Sequence, residues 1–305
     1  MTTSTDAATR RDLFGGVLAA AASLQFGVIV VVGKRVLERG MTVESMLAFR
    51  FSVAATLLVL VLVALRRPVL AAPGERVGTA ALAVFGYGVE ATFFFTAARH
   101  GTAAAVTLLF FTYPVFVTIG AWFVGRGAPA RLTVAALVLA VVGAGVVAGT
   151  GAGLSVETTG VVFALAAALT YSAYLLGADA VLRRTHPFTS AMWISAGASI
   201  GLFVFSTVSG RYTSPTSAAD WWSLLAMGAA SAGAFVCLMG ALQRIGAVRT
   251  AIVSATEPLS AALLGYLFLD EAVDAGTAIG GGLILVAAVM ASLARVAMPR
   301  EQQIP

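Results

Sequence analysis

Charged residues are scarce in this sequence. Asp, Glu, Lys and Arg make up 11% of its 305 residues, where soluble domains carry about a quarter. A water-soluble fold could not cover its surface from that supply. With one cysteine, Cys237, the chain forms neither an intrachain disulfide nor a cysteine-built metal site. Its two histidines, His100 and His186, stand apart with no ligand spacing around either, so no metal and no cofactor are expected. No nucleophile elbow or intramembrane-protease signature is present, and Gly149-Thr150-Gly151-Ala152-Gly153 lacks the GK[ST] ending of a phosphate loop. Period-two alternation is missing, which argues against a β-barrel. The net charge of +5 does not mark a nucleic-acid binder, because the arginines sit between apolar runs, where they set membrane orientation.

What the chain has is apolar length: 59% of it is hydrophobic and its mean hydropathy is +0.95. Ten runs read as membrane spans, at about 13–32, 45–65, 77–98, 102–124, 132–149, 159–178, 189–208, 219–242, 246–269 and 275–294. Short connections carry turn residues, as at Arg66-Arg67-Pro68, Ala72-Pro73-Gly74 and Ser214-Pro215. Residues 1–12 lack a signal-peptide cleavage pattern and read as a polar tail. If the N-terminus is inside, thirteen of the nineteen Lys and Arg residues fall on inner segments and five on outer ones, with Arg50 inside the second helix. That bias puts both termini in the cytoplasm, although Lys34, Arg35 and Arg39 in the first loop run against it.

The stretch from Gly246 to Glu271 organises the rest. It is an apolar run with one carboxylate, Glu257, at its centre and Pro258 directly after. An acid beside a proline inside a membrane helix is costly and calls for an explanation. The run from Gly101 to Gly127 repeats the design 144 positions earlier, with Tyr113-Pro114 in the matching place. Gly16-Val17 and Gly160-Val161, Ala97 and Ala241, and Thr133 and Thr277 keep the same offset. The expected fold is an all-α membrane protein of ten transmembrane helices, built as two inverted five-helix repeats. The repeats are set at 13–149 and 159–296, between cytoplasmic tails at 1–12 and 297–305. Five helices per repeat is an odd number, so the second copy enters the membrane from the opposite side, a hallmark of secondary transporters.

From Ala97-Ala98 to Pro114, and again through Gly246-Ala247, Glu257-Pro258 and Gly265 to Glu271, the chain resembles the ten-helix EamA type of the drug/metabolite transporter superfamily. Arg50-Phe51 resembles the family's Arg-Phe pair. The resemblance spans about 15–293. It implies export or exchange of small metabolites, often amino acids or their derivatives, by alternating access. One departure stands out: Gly125-Arg126-Gly127 replaces the family's Gly-Glu pair, so only the second repeat keeps that acid, as Glu271.

Seven residues are singled out for substrate binding. Glu257, at mid-depth, must face other helices or a water-filled cavity; it either binds a ligand or is a structural carboxyl. Glu90, among Tyr87, Phe93, Phe94 and Phe95, is either a proton-exchanging acid or a helix–helix hydrogen-bonding group. Arg50 can pair with Glu90, Glu257 or an anionic substrate, or snorkel to the outer interface. Gln25, and the face formed by Thr170, Tyr171 and Tyr174, either line a cavity or pack between helices, and Tyr113 shares the repeat position of Glu257. Pro114 and Pro258 are the candidate hinges. Lys34 reads as an interface anchor, Trp193 as a further cavity candidate, and Trp221 with Trp222 as part of an aromatic belt. Small residues four apart at Gly145/Gly149, Gly197/Gly201 and Gly276/Gly280 allow close helix packing.

The third, fourth, eighth and ninth spans are expected to wall the site, with the first and sixth beside them and the fifth and tenth peripheral. The functional expectation is a secondary transporter, not an enzyme. It exports an amino acid, a derivative or a drug-like solute across the plasma (inner) membrane, either in exchange for protons through Glu257 or Glu90 or by facilitated movement without coupling. The rivals are an uptake permease of the same fold, an intramembrane enzyme, which would need a catalytic dyad or metal cluster, and a sensor, which would need a soluble signalling domain. The expected partners are a small-molecule substrate, the lipid bilayer and protons, with no nucleic acid; the assembly is a monomer or a homodimer.

Overall fold

The computed structural model describes residues 2–123, 131–149, 156–181, 184–254 and 256–294. The Gly125–Gly127 departure, most of the 150–157 connection and the C-terminal tail lie outside these. Twelve α-helices follow one another: α1 Thr2–Glu38, α2 Val43–Ala64, α3 Arg76–Ala81, α4 Gly88–Ala98, α5 Ala103–Phe110, α6 Tyr113–Phe123, α7 Arg131–Gly149, α8 Thr158–Val181, α9 Pro187–Val208, α10 Ala218–Ser254, α11 Glu257–Leu269 and α12 Ala275–Ala294. Among the described residues the only β-type pairing is one bridge, Gly101 with Val156. Among the described residues, six helical spans are long and apolar enough to cross a bilayer, and four shorter apolar helices accompany them. The molecule is an integral membrane protein.

Two expected helices are interrupted where the sequence places a proline. The fourth span divides into α5 and α6, with Pro114 second in α6, and the ninth ends in α11, with Pro258 second. Proline suits the first turn of a helix, where its missing N–H would have had no partner. The breaks before Tyr113 and Glu257 fall at the same repeat offset of 144. The expectation that Glu257 sits mid-helix is therefore corrected: it opens α11. The gap left at 243–245 between the eighth and ninth apolar runs is also not a helix boundary, since α10 runs unbroken to Ser254. Gly246 disfavours a helix by only about 1 kcal/mol, and no proline stands there to stop it.

The third span holds the surprise. Between α3 and α4 the backbone widens into a π-helical stretch, Leu82–Tyr87, in which the Gly88 N–H reaches Ala83 O. Such widenings occur often at functional sites. Ala83 and Val84 of this stretch lie against Gly197 and Gly201 of α9, so that glycine pair is a packing seam. Gly145, by contrast, faces open space.

The halves pack into each other more than within themselves. α1 lies on α10 and α11, α2 on α9, α4 on α8, and α7 on α12. The last pair is tight: a Cβ on Gly143 would stand 2.7 Å from Gly280 O. Hydroxyls inside the bundle mostly return to their own helix, as Thr92 to Gly88 O and Thr170 to Ala166 O do, which removes the cost of burying them.

Candidate substrate cavity

A cavity of about 230 Å³ opens between the halves. α1 contributes Phe26, Ile29 and Val30; α2 contributes Arg50; the third span contributes Tyr87, Glu90, Ala91, Phe94 and Phe95. Phe110 and Tyr113 enter at the α5/α6 break, Tyr171, Tyr174 and Leu175 from α8, Phe235 and Leu238 from α10, and Glu257 from the start of α11. Among the described residues, none that lines it comes from α7, α9 or α12. The two broken spans thus present equivalent positions, Tyr113 and Glu257, to one space.

Most of the wall is aromatic and continuous. Phe51 meets Tyr87 at 5.6 Å between ring centres, Tyr87 meets Tyr174 at 5.5 Å, Tyr174 stacks on Tyr171 at 5.9 Å, and Tyr171 meets Tyr113 edge-on at 5.0 Å. Phe110 joins Tyr113, Tyr171 and Phe94 within 5.4 Å. Such pairs add roughly 0.5–1.5 kcal/mol each beyond burial, so the wall is stiff. The faces it offers also attract organic cations.

Three ionisable side chains interrupt that wall. Arg50 is 4% exposed and Glu90 6%. The Arg50 Nε donates to Ser231 Oγ at 2.8 Å, and its guanidinium lies 4.8 Å from the Phe51 ring centre and 5.7 Å from that of Phe95. Tyr87 and Glu90 act on it electrostatically. Snorkelling is thereby ruled out: the side chain turns inward because Ser231 and two rings receive it. Among the described residues, neither Glu90 nor Glu257 takes part in a hydrogen bond or a salt bridge, although the charges of Glu90 and Arg50 act on each other. Glu257 also stands in the first turn of α11.

Six of the seven singled-out residues, Glu257, Glu90, Tyr171, Tyr174, Tyr113 and Arg50, meet around this cavity. Gln25 does not line it. Its amide donates to Ala21 O at 2.9 Å and lies 3.6 Å from Cys237 Sγ, between α1 and α10. Trp193 also points elsewhere, donating from Nε1 to Val69 O at 2.8 Å. Tyr87, Phe110 and Phe235 had no role in the sequence reading; the Gly86-Tyr87-Gly88 triplet inside a membrane helix was the one available signal for the first.

Lys34 is no simple anchor. It pairs with Glu271 and donates to Gly101 O at 2.6 Å, while Glu271 Oε2 accepts from the Ala103 N–H at 2.7 Å. This cluster ties α1, α5 and the end of α11 together at one end of the bundle. At the opposite end, Glu75 accepts from the Arg184 and Thr185 N–H groups at 2.8 and 2.9 Å. His100 pairs with Glu157, and His186 caps α9 by accepting from Phe188 N–H. Among the described residues no group of His, Cys, Asp and Glu could hold a metal.

The model of the EamA-like transporter family matches residues 13–149 and, a second time, 158–293. A solved structure described as "Crystal structure of protein" is similar over 91% of this chain and 99% of its own, at 18% identity and a TM-score of 0.63. That likeness concerns the fold alone. No curated protein matches.

Proposed function

This chain belongs to the EamA-like transporter family, and from that premise we propose that it exports a small metabolite bearing a protonated amine, by alternating access, in exchange for protons. The observation that carries the reading is the pair of carboxylates, Glu257 and Glu90, which among the described residues make no hydrogen bond or salt bridge and line an aromatic-walled cavity between the two halves. An ammonium is attracted both by the aromatic faces and by a carboxylate. An unpaired charge in such surroundings costs several kcal/mol, so the site is satisfied by a substrate cation or by a proton. Binding one excludes the other, which makes transport an exchange.

In this reading the ten apolar runs all span the plasma membrane, with both termini cytoplasmic. The two halves rock about the cavity, and the breaks at Pro114 and Pro258 absorb the movement. The substrate is an amino acid, a derivative or a drug-like amine. An uptake permease differs only in direction.

Two measurements test this. Purified protein reconstituted into vesicles with an acidic interior should accumulate a labelled amine substrate while the interior alkalinises. Accumulation that ignores the proton gradient would remove the exchange. For orientation, a cysteine replacing Ser214, in a Cys237→Ser background, should react with an impermeant thiol reagent on intact cells. Protection of that cysteine would invert the topology.

A further inference from the structure

The two ends of the bundle treat their cations differently. At the end that holds Glu271, Lys34 pairs with Glu271, Arg39 with Asp220 and Arg211 with Glu44. At the opposite end Arg66, Arg67, Arg76 and Arg184 are exposed, and among the described residues none of them forms a salt bridge. These four are also gathered. Arg66 and Arg67 follow α2, Arg76 opens α3, and Arg184 lies between α8 and α9. Thr185 Oγ1 accepts from Ala72 N–H at 3.0 Å, Thr189 Oγ1 donates to Pro68 O at 2.6 Å and Trp193 Nε1 donates to Val69 O at 2.8 Å, so the 66–75 loop is stitched to the start of α9. Glu75, the one acid of these loops, is buried and receives the Arg184 and Thr185 N–H groups.

Arg66 occupies an unusual place. Its N–H donates to Val63 O at 3.0 Å and the Arg67 N–H to Leu62 O at 2.8 Å, the Schellman closure of a helix, where glycine is the usual residue. Its φ of 49° lies in the left-handed region, which a side chain strains. Setting membrane orientation needs only a count of loop cations, and an arginine one position away would serve equally. Next to the four arginines, Val63, Leu65 and Val77 are exposed, and Trp193, a residue type that favours the membrane–water interface, stands beside them on α9.

We propose that Arg66, Arg67, Arg76 and Arg184 seat the headgroup of an anionic phospholipid, with its acyl chains on Val63, Leu65 and Val77. Guanidinium matches the phosphodiester in charge and in paired geometry, and the apolar flank calls for an anion attached to chains. The bound lipid bridges the 66–75 loop of the first half and the α8–α9 connection of the second. This site is separate from the cavity and independent of what the cavity carries.

Dioleoylphosphatidylglycerol and dioleoylphosphatidylcholine, which share their chains, are each titrated into the full-length protein purified in neutral detergent. The rise in thermal stability is read, since a ligand of the folded state raises it. The expected result is that the glycerol lipid acts at a concentration at least ~10-fold below the choline lipid, as each surface arginine contributes to binding an anionic headgroup. Arg66→Gly should reduce that preference by about 5-fold, while the lipid-free midpoint holds or rises, because glycine suits the left-handed turn. Arg66→Gly with Arg67→Gln should erase the preference, and Arg131→Gln, at the start of α7, should leave it unchanged. If the double variant does not fold, Arg66→Gly decides by itself. Equal action of the two lipids on wild type would overturn the proposal, as would a preference that survives Arg66→Gly and the double variant. Arg131→Gln acting as strongly as Arg66→Gly would replace the site with diffuse net charge. Inorganic phosphate stabilising wild type as well as the glycerol lipid would exclude the lipid as the occupant.

Discussion

Glu271 accepts from the Ala103 N–H and pairs with Lys34, whereas Glu257, fourteen residues earlier at the other end of α11, has neither a hydrogen-bond donor nor a salt-bridge cation among the described residues. Glu257 opens α11 and Glu271 lies two residues past its end, so their difference comes from what the rest of the chain brings to each. Around Glu271 three segments converge to satisfy every charge, and the carboxylate joins helices. Around Glu257 the chain brings aromatic rings, and the charge is left for something that is not protein. A paired acid in a membrane bundle holds the fold together; an unpaired one facing a cavity is a ligand site.

That contrast is broken most sharply at Glu257. Replacing it with Gln keeps the shape and removes the charge. We expect Glu257→Gln to insert and fold normally and to lose proton-coupled transport by more than about 10-fold, in line with the loss of a charge-assisted contact. The sign of the pH effect follows from competition. In the wild type protons displace the amine, so apparent amine affinity weakens as pH falls; in Glu257→Gln that slope should be flat. Glu90→Gln should retain most of the slope. A Glu257→Gln protein with the wild-type pH profile would make Glu257 a structural group, and the contrast with Glu271 would vanish.

Glu271→Gln should act on stability instead. The Gln oxygen can still accept from Ala103 N–H, but Lys34, whose side chain is 12% exposed, loses its counter-charge. For a pair partly screened by solvent the cost is about 1–3 kcal/mol, measured as a lower midpoint of thermal unfolding. Adding Lys34→Met should return part of the loss, because the uncompensated cation is then gone. At a permissive temperature, transport and its pH slope should persist. Loss of transport in a fully folded Glu271→Gln protein would show that the cluster takes part in the cycle and does more than join helices.

How much of this was legible in advance depends on the range of the cause. The apolar runs, the 144-residue offset and the twin breaks before Tyr113 and Glu257 follow from local chemistry: hydropathy, and proline's missing donor. Clustering of the acids with Tyr113, Tyr171 and Tyr174 followed from combining the offset with helical spacing. Arg50 was not legible, because whether an arginine snorkels or turns inward depends on Ser231, 181 residues away. The Lys34–Glu271 pair bridges 237 residues and was equally hidden. The π-helical stretch has no propensity signature beyond Gly86 within it and Gly88 directly after it. The uninterrupted α10 was missed because Gln243 and Arg244 interrupt the apolar run without interrupting the helix.

The smallest effect sharpens the boundary of the cavity. Gln25 had the polarity and depth of a substrate contact, yet its amide returns to Ala21 O and sits beside Cys237, where Gly233 leaves room for it. Removing that amide strands nothing. Ala21 O keeps its backbone hydrogen bond from four residues on, as any helical carbonyl does, and a thiol is a weak partner. Leucine is close to glutamine in size and suits an apolar seam between α1 and α10. We therefore expect Gln25→Leu to change stability by less than about 1 kcal/mol, the range of volume-conserving replacements, and to leave both the transport rate and its pH slope at wild-type values. The measurement is the same vesicle exchange used for Glu257→Gln. A folded Gln25→Leu protein that fails to transport would mean that the cavity reaches into the α1–α10 seam during the cycle, and that the line between paired and unpaired polar groups in the resting structure does not coincide with the line between scaffold and site.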